Sequence, residues 1–228
     1  MKIAGLIKSS LVDYPGEVSC VVFVPGCNFD CFYCHNRTLL DGSYHAPDDD
    51  QVENLLRNRH GKLDGVVITG GEPTLQPDLI PYIKRIKDMG YKVKLDTNGS
   101  YPSVVRELLS AGLCDYYAVD YKAPAARYGE ICGMGISADD VLETINILQD
   151  SGADFEVRTT VIPQLDQNDL IKMAEELPEV PRYVLNRYRR PEYYQQDEED
   201  RINMESYTEK QIKAFAGRMK DIQPNIKC

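Results

Sequence analysis

The sequence predicts an α/β fold of six βα units around a parallel sheet, and three observations carry that prediction. Short β-branched and aromatic runs recur along the chain, and stretches of helical period fall between them. The unusual polar clusters all sit at the C-terminal ends of the runs. Strand–helix alternation of this kind gives right-handed βαβ units, whose strand carboxyl ends share one ligand-binding face. Six units are too few for a closed eight-unit barrel of about 250 residues. That leaves a doubly wound sheet or a barrel lacking two staves.

The runs are SCVVFV (19–24), GVVIT (65–69), KVKLD (92–96), YYAVDY (116–121), FEVRTTVI (155–162) and RYVLN (182–186). The helical stripes are Leu79, Ile80, Ile83 and Ile86; Val104, Val105, Leu108 and Leu109; Val141, Leu142, Ile145 and Leu148; and Leu170, Met173, Ala174 and Leu177. A last helix is expected to turn Ile212, Phe215, Met219 and Ile222 inward. No low-complexity tract or Pro/Ser-rich linker interrupts the pattern, so residues 1–228 read as a single domain, with a C-terminal helix and tail over roughly 189–228.

Composition narrows the function. The formal charge is −10 with no basic stripe, which excludes non-specific binding to nucleic acid or an anionic membrane surface. No apolar stretch reaches the eighteen residues of a membrane span. The opening MKIAGLIKSSLVDYPG lacks the apolar region and cleavage site of a signal peptide and reads as the start of the mature fold. Seven cysteines, three of them on one loop, argue against a secreted disulfide framework and for a reduced, cytoplasmic protein. Cys20, Cys114 and Cys132 read as small buried hydrophobes, and Cys228 as a mobile terminus.

The remaining cysteines, Cys27, Cys31 and Cys34, follow the first strand in C-x3-C-x2-C spacing. Soft thiolates select zinc or iron–sulfur clusters. A structural zinc site wants four protein ligands, and His35, adjacent to Cys34, is badly placed to join the same tetrahedron. Three thiolates on a cubane cluster instead leave one iron open to a substrate or cofactor. A simple electron carrier generally uses four protein ligands.

This loop, with Tyr33 before its third cysteine and GGEP (70–73) after the second strand, resembles the radical S-adenosylmethionine superfamily nearly end to end. The resemblance implies a partial (β/α)6 TIM-like barrel, open on one side. It implies a 4Fe–4S cluster on Cys27, Cys31 and Cys34, with S-adenosylmethionine on the fourth iron and reductive cleavage to a 5′-deoxyadenosyl radical. Gly70 and Gly71 would permit close backbone approach and unusual dihedrals, and Glu72 would meet the cofactor's ammonium. Tyr33 and His35 would lie near the adenine, and Asn98 at the ribose. Lys122 and Arg158 would neutralise the cofactor carboxylate or grip a partner, with a structural role as the alternative. His45 and His60 read as ordinary loop histidines.

Within the superfamily, DYPG (13–16), CHNR (34–37), DTNG (96–99) and DYK (120–122) look like the glycyl-radical-enzyme activases. That likeness implies a monovalent cation held by Asp96, Thr97 and Asp120, with capping of the next helix and turn as the alternative for Asp96 and Thr97. It implies a flavodoxin- or ferredoxin-type electron donor and a glycyl-radical partner. The stretch SSLVDYPG before VVFVPGCNFDCFYCHN looks most like the activating proteins of anaerobic ribonucleoside-triphosphate reductase. Pyruvate formate-lyase-type activases share most of these motifs, and small-molecule enzymes such as 7-carboxy-7-deazaguanine synthase also use short barrels. The Arg/Tyr-rich segment RYVLNRYRRPEYY (182–194) reads as a solvated, partly packed tail, with partner docking as the alternative.

Overall fold

A computed structural model describes residues 1–48 and 50–228. Its strands are β1 (Gly5–Ser10), β2 (Ser19–Val24), β3 (Gly65–Gly70), β4 (Lys92–Thr97), β5 (Tyr116–Asp120), β6 (Phe155–Val161), β7 (Tyr183–Arg187) and β8 (Ile226–Lys227). The helices are α1 (Arg37–Asp41), α2 (Gln51–Asn58), α3 (Leu79–Asp88), α4 (Pro102–Ser110), α5 (Tyr128–Cys132), α6 (Asp139–Ser151), α7 (Gln167–Glu176), α8 (Glu199–Ile202) and α9 (Glu209–Met219). Each of the six runs read from the sequence is a strand, β2 to β7. The eight strands lie in strictly sequential order in an open sheet, the fold class the sequence predicts.

The sequence pattern missed β1 and β8. β1 pairs antiparallel with β2 with its register shifted between Ile7 and Ser10, and its residues are mostly half-buried or exposed, so it lacks the apolar run of a central strand. β8 spans two residues, too few for any periodic signal.

Two compact units divide the chain. The first comprises Met1–Asn28, Thr38–Thr97 and Ser103–Tyr117; the second comprises Phe29–Arg37, Asn98–Pro102 and Ala118–Cys228. Each draws on three separate stretches, so no single point in the sequence separates them.

In the first unit β2 pairs parallel with β3 and β3 with β4, through the register Val22↔Ile68 and Ile68↔Leu95. Val22, Ile68 and Leu95 are fully buried, as continuous apolar strands covered on both faces should be. Leu79, Ile83 and Ile86 of α3 and Val105 and Leu108 of α4 bury the stripes their spacing predicts. In the second unit β6 pairs parallel with β7, and β7 with β8. Here α6 buries Val141, Ile145 and Leu148, and α7 buries Leu170, Met173 and Ala174 behind a capping box of Asp166 and Asp169. The last helix differs from expectation. α9 buries Ile212, Ala216 and Met219, whereas Phe215 is half-buried and packs edge-on against Tyr207, and Ile222 lies past the helix end.

Candidate active site

The cysteine loop begins where β2 ends. Within the first unit the Gly26 N–H donates to Leu39 O at 2.9 Å, which ties together the two ends of the stretch carrying the cysteines. The GGE segment after β3 is bound to the same place. The Gly71 N–H donates to Val24 O at 2.9 Å, and the Glu72 N–H donates to Gly26 O at 2.8 Å.

Both glycines are dictated by this contact. Gly70 has φ +118°, and a Cβ there would lie 2.5 Å from Val24 N and Val24 O. At Gly71 a Cβ would fall 1.9 Å from Gly26 O, a full overlap. The close approach read from the sequence as room for a cofactor is therefore, in this fold, an approach to the backbone just ahead of Cys27.

Glu72 is completely buried. Its Oε1 accepts from the Thr74 N–H at 3.0 Å, from the Thr74 hydroxyl and from the Thr97 hydroxyl at 2.7 Å. A buried carboxylate oxygen with several donors is held in one orientation, which suits an acceptor meant to face a cationic group. Thr97 thus gives its hydroxyl proton to Glu72.

Asp96 is met by the Nζ of Lys94, a lysine only 1% exposed. The sequence reading passed over Lys94. The signal was present, since two residues apart on one strand they point to the same face.

In the second unit, the Cys34 N–H donates to Cys31 O at 3.1 Å, a turn that separates the two cysteines. Cys31 and Tyr33 are buried, Cys34 is half-buried and His35 is exposed. A hydrogen bond to Cys132, then burial, push the Cys31 thiol well above the usual thiol range; burial likewise raises Cys34 and Tyr33. Phe32 beside Tyr33 carries the Arg201 guanidinium 3.8 Å above its ring, so the C-terminal part of the chain packs on the loop. Asn98 is buried, and its Oδ1 accepts from the Ser100 N–H at 2.9 Å and the Ser100 hydroxyl at 2.6 Å.

Asp120 is clamped by Lys122 Nζ at 3.1 Å and by Arg158 Nε at 2.9 Å. Burial alone would raise its carboxyl, but Arg158 and Lys122 outweigh burial and hold it at about 2. Burial would lower the Lys122 ammonium, but Asp120, Tyr33, Cys31 and Cys132 together outweigh it and keep that group above the usual lysine range. Asp96 and Asp120 thus each face a cation of the chain's own. Lys122 and Arg158 both meet Asp120.

The arginines of 186–190 are exposed, while Tyr188 between them is buried with its hydroxyl on Ile202 O at 3.1 Å. Arg187 and Arg189 line a cavity of about 610 Å³ with Asn186, Ser206 and Glu209.

All seven cysteines are free thiols. Among the described residues, no group of three or more His, Cys, Asp or Glu side chains is gathered as around one metal ion. A cubane cluster takes each thiolate on a different iron, so its ligands need not converge on one point. Three reduced soft donors in C-x3-C-x2-C spacing have the chemistry such a cluster needs.

Comparisons with known proteins agree on one family. The description of the radical SAM superfamily matches residues 21–177. A Methanocaldococcus jannaschii protein, provisionally named a glycyl-radical enzyme activating enzyme, is 31% identical over 201 residues, which span 86% of this chain and 83% of that one. The 7-carboxy-7-deazaguanine synthase of Thermococcus kodakarensis is 32% identical over 149 residues, 56% of this chain and 57% of that enzyme. Among solved structures, Streptococcus suis SuiB bound to S-adenosylmethionine shares the fold, with a TM-score of 0.67 at 16% identity, covering 88% of this chain and 48% of SuiB. No helix of the described residues is long and apolar enough to cross a membrane.

Proposed function

Because the chain belongs to the radical S-adenosylmethionine superfamily, we propose that it is a glycyl-radical-enzyme activase whose partner is an anaerobic ribonucleoside-triphosphate reductase. Cys27, Cys31 and Cys34 would hold a 4Fe–4S cluster which, reduced by a flavodoxin- or ferredoxin-type donor, would supply the electron for reductive cleavage of S-adenosylmethionine and so the radical chemistry directed at a partner glycine.

The chain's residues bind and orient. Cys27, Cys31 and Cys34 would bind as thiolates and release their protons to solvent, a cost made larger by the burial of Cys31 and Cys34. Glu72, fixed by Thr74 and Thr97, offers its anion to the ammonium of the methionyl group. Lys122 and Arg158 keep Asp120 ionised, and with it present a fixed set of charges to the cofactor's polar groups. Tyr33, His35 and Asn98 complete the proposed cofactor residues.

The observation that carries this reading is the activase-named relative, which matches at nearly full length on both sides. A small-molecule radical enzyme is the second reading, favoured by the deazaguanine synthase relative, although that match spans little more than half of either chain. Mixing anaerobically reconstituted, reduced protein with S-adenosylmethionine and an anaerobic ribonucleotide reductase should give the doublet of a glycyl radical by electron paramagnetic resonance. Pyruvate formate-lyase serves as the competing partner. Steady cofactor cleavage without a radical on either partner, together with turnover of a deazaguanine precursor, would transfer the protein to the second reading.

A further inference from the structure

Two cavities adjoin at the carboxyl end of β7, the end of a parallel α/β sheet at which ligands bind. Arg187 and Arg189 line the larger, of about 610 Å³, and Lys213 of α9 lines the smaller, of about 290 Å³. Asn186, Arg187 and Glu209 line both, so the two run together as one elongated groove. Arg127, Arg158 and Arg201 of the same unit each hold a carboxylate. Arg187, Arg189 and Lys213 are exposed and, among the described residues, hold none. That is so even though Glu209 stands one helical turn ahead of Lys213. The backbone carrying the two arginines is anchored. Tyr188 between them is buried, and its hydroxyl donates to Ile202 O at 3.1 Å.

We propose that this groove docks an extended acidic segment of the partner protein, whose carboxylates pair with Arg187, Arg189 and Lys213. The inference rests on the activase reading above. A guanidinium fork takes a carboxylate through two parallel hydrogen bonds, and arginine is enriched at protein interfaces. A small-ligand pocket encloses its ligand in mostly apolar walls, whereas the cations of this groove face water. A chain of net charge −10 repels an acidic partner at long range. Unpaired cations gathered at one groove reverse that sign locally and so fix where such a partner can approach. The anchored backbone presents both guanidiniums without refolding, which reduces the entropy lost on docking.

The test follows the rate of glycyl-radical formation against partner concentration, by electron paramagnetic resonance, in reconstituted wild type and two variants. The partner is whichever of the two named above the wild type activates. Arg187→Glu/Arg189→Glu reverses the charge of the groove. Arg59→Glu/Lys84→Glu makes the same change of net charge at exposed positions of the first unit. The groove variant should raise the KM for the partner roughly tenfold, with kcat and partner-free cleavage of S-adenosylmethionine unchanged. The control should match wild type. Wild-type KM should also rise with added potassium chloride, and the dependence should flatten in the groove variant. An unchanged KM in the groove variant, an equal rise in the control, or a loss of cofactor cleavage overturns the proposal and leaves the activase reading standing. Citrate or inorganic phosphate that binds wild type but not the groove variant, with KM unchanged, marks a small-anion site and overturns it as well. Where the groove variant fails to fold, a wild-type KM indifferent to salt still overturns the proposal. Wild type that activates neither partner brings down both.

Discussion

Thr97, the last residue of β4, donates its hydroxyl proton to Oε1 of Glu72, two residues past the end of β3, at 2.7 Å. Two strand-end motifs that look independent in the sequence, GGEP and DTNG, are thereby joined inside the first unit through a fully buried carboxylate. Thr97→Val keeps the shape and removes the donor. Hydrogen bonds to buried charged groups are worth about 1–3 kcal/mol, so a loss of that size is expected in urea unfolding at neutral pH. S-adenosylmethionine affinity should weaken alongside, since the carboxylate loses part of its orientation.

Gly71→Ala places a methyl on the Gly26 carbonyl, from which a Cβ would be 1.9 Å. The collision lies one residue before Cys27, so the variant should hold much less iron after reconstitution than wild type. Gly217→Ala is the control. It lies within α9, where a Cβ meets nothing within 4 Å, and it should retain full iron content with a stability gain of up to about 1 kcal/mol.

Lys94→Met tests the buried pair with Asp96. Taking the ammonium from a residue only 1% exposed leaves the partner carboxylate without it, a change that typically costs about 3–5 kcal/mol. The double variant Lys94→Met/Asp96→Asn removes both charges and should recover much of that loss. A double-mutant cycle by thermal or urea unfolding reads the coupling.

Asp120 has a folded-state pKa of about 2, below the unfolded value of about 3.9. Its contribution to stability is therefore complete above roughly pH 4 and disappears as pH falls through about 2. Arg158→Gln removes one of the groups that lowers it. The stability difference between pH 6 and pH 3, measured by urea titration, should be smaller in the variant than in wild type.

The six central strands and the long helices were legible because each carries a periodic apolar signal that its burial obeys. The C-x3-C-x2-C loop was legible because three soft ligands at that spacing have few other uses, and GGEP because it follows the second strand of a chain that carries that loop. β1 and β8 were not, since an edge strand and a two-residue strand leave no periodic trace. Lys94 was passed over although its alternation with Asp96 was visible, because a lysine within a strand is ordinarily turned to solvent.

By itself the sequence determined the order of the six central strands and the long helices between them, the family and the residue types available for chemistry, all of which follow from local spacing. Tertiary structure alone decided what each polar group faces. It set Gly71 against Gly26, Thr97 and Thr74 on Glu72, Lys94 on Asp96, Arg158 and Lys122 on Asp120, and Cys132 on Asp30. Apart from the neighbours on one strand or turn, these contacts join residues far apart in the chain. Spacing along a sequence carries no record of distance between segments that only packing brings together, so burial and pairing, and the charge each group holds, emerge with the fold.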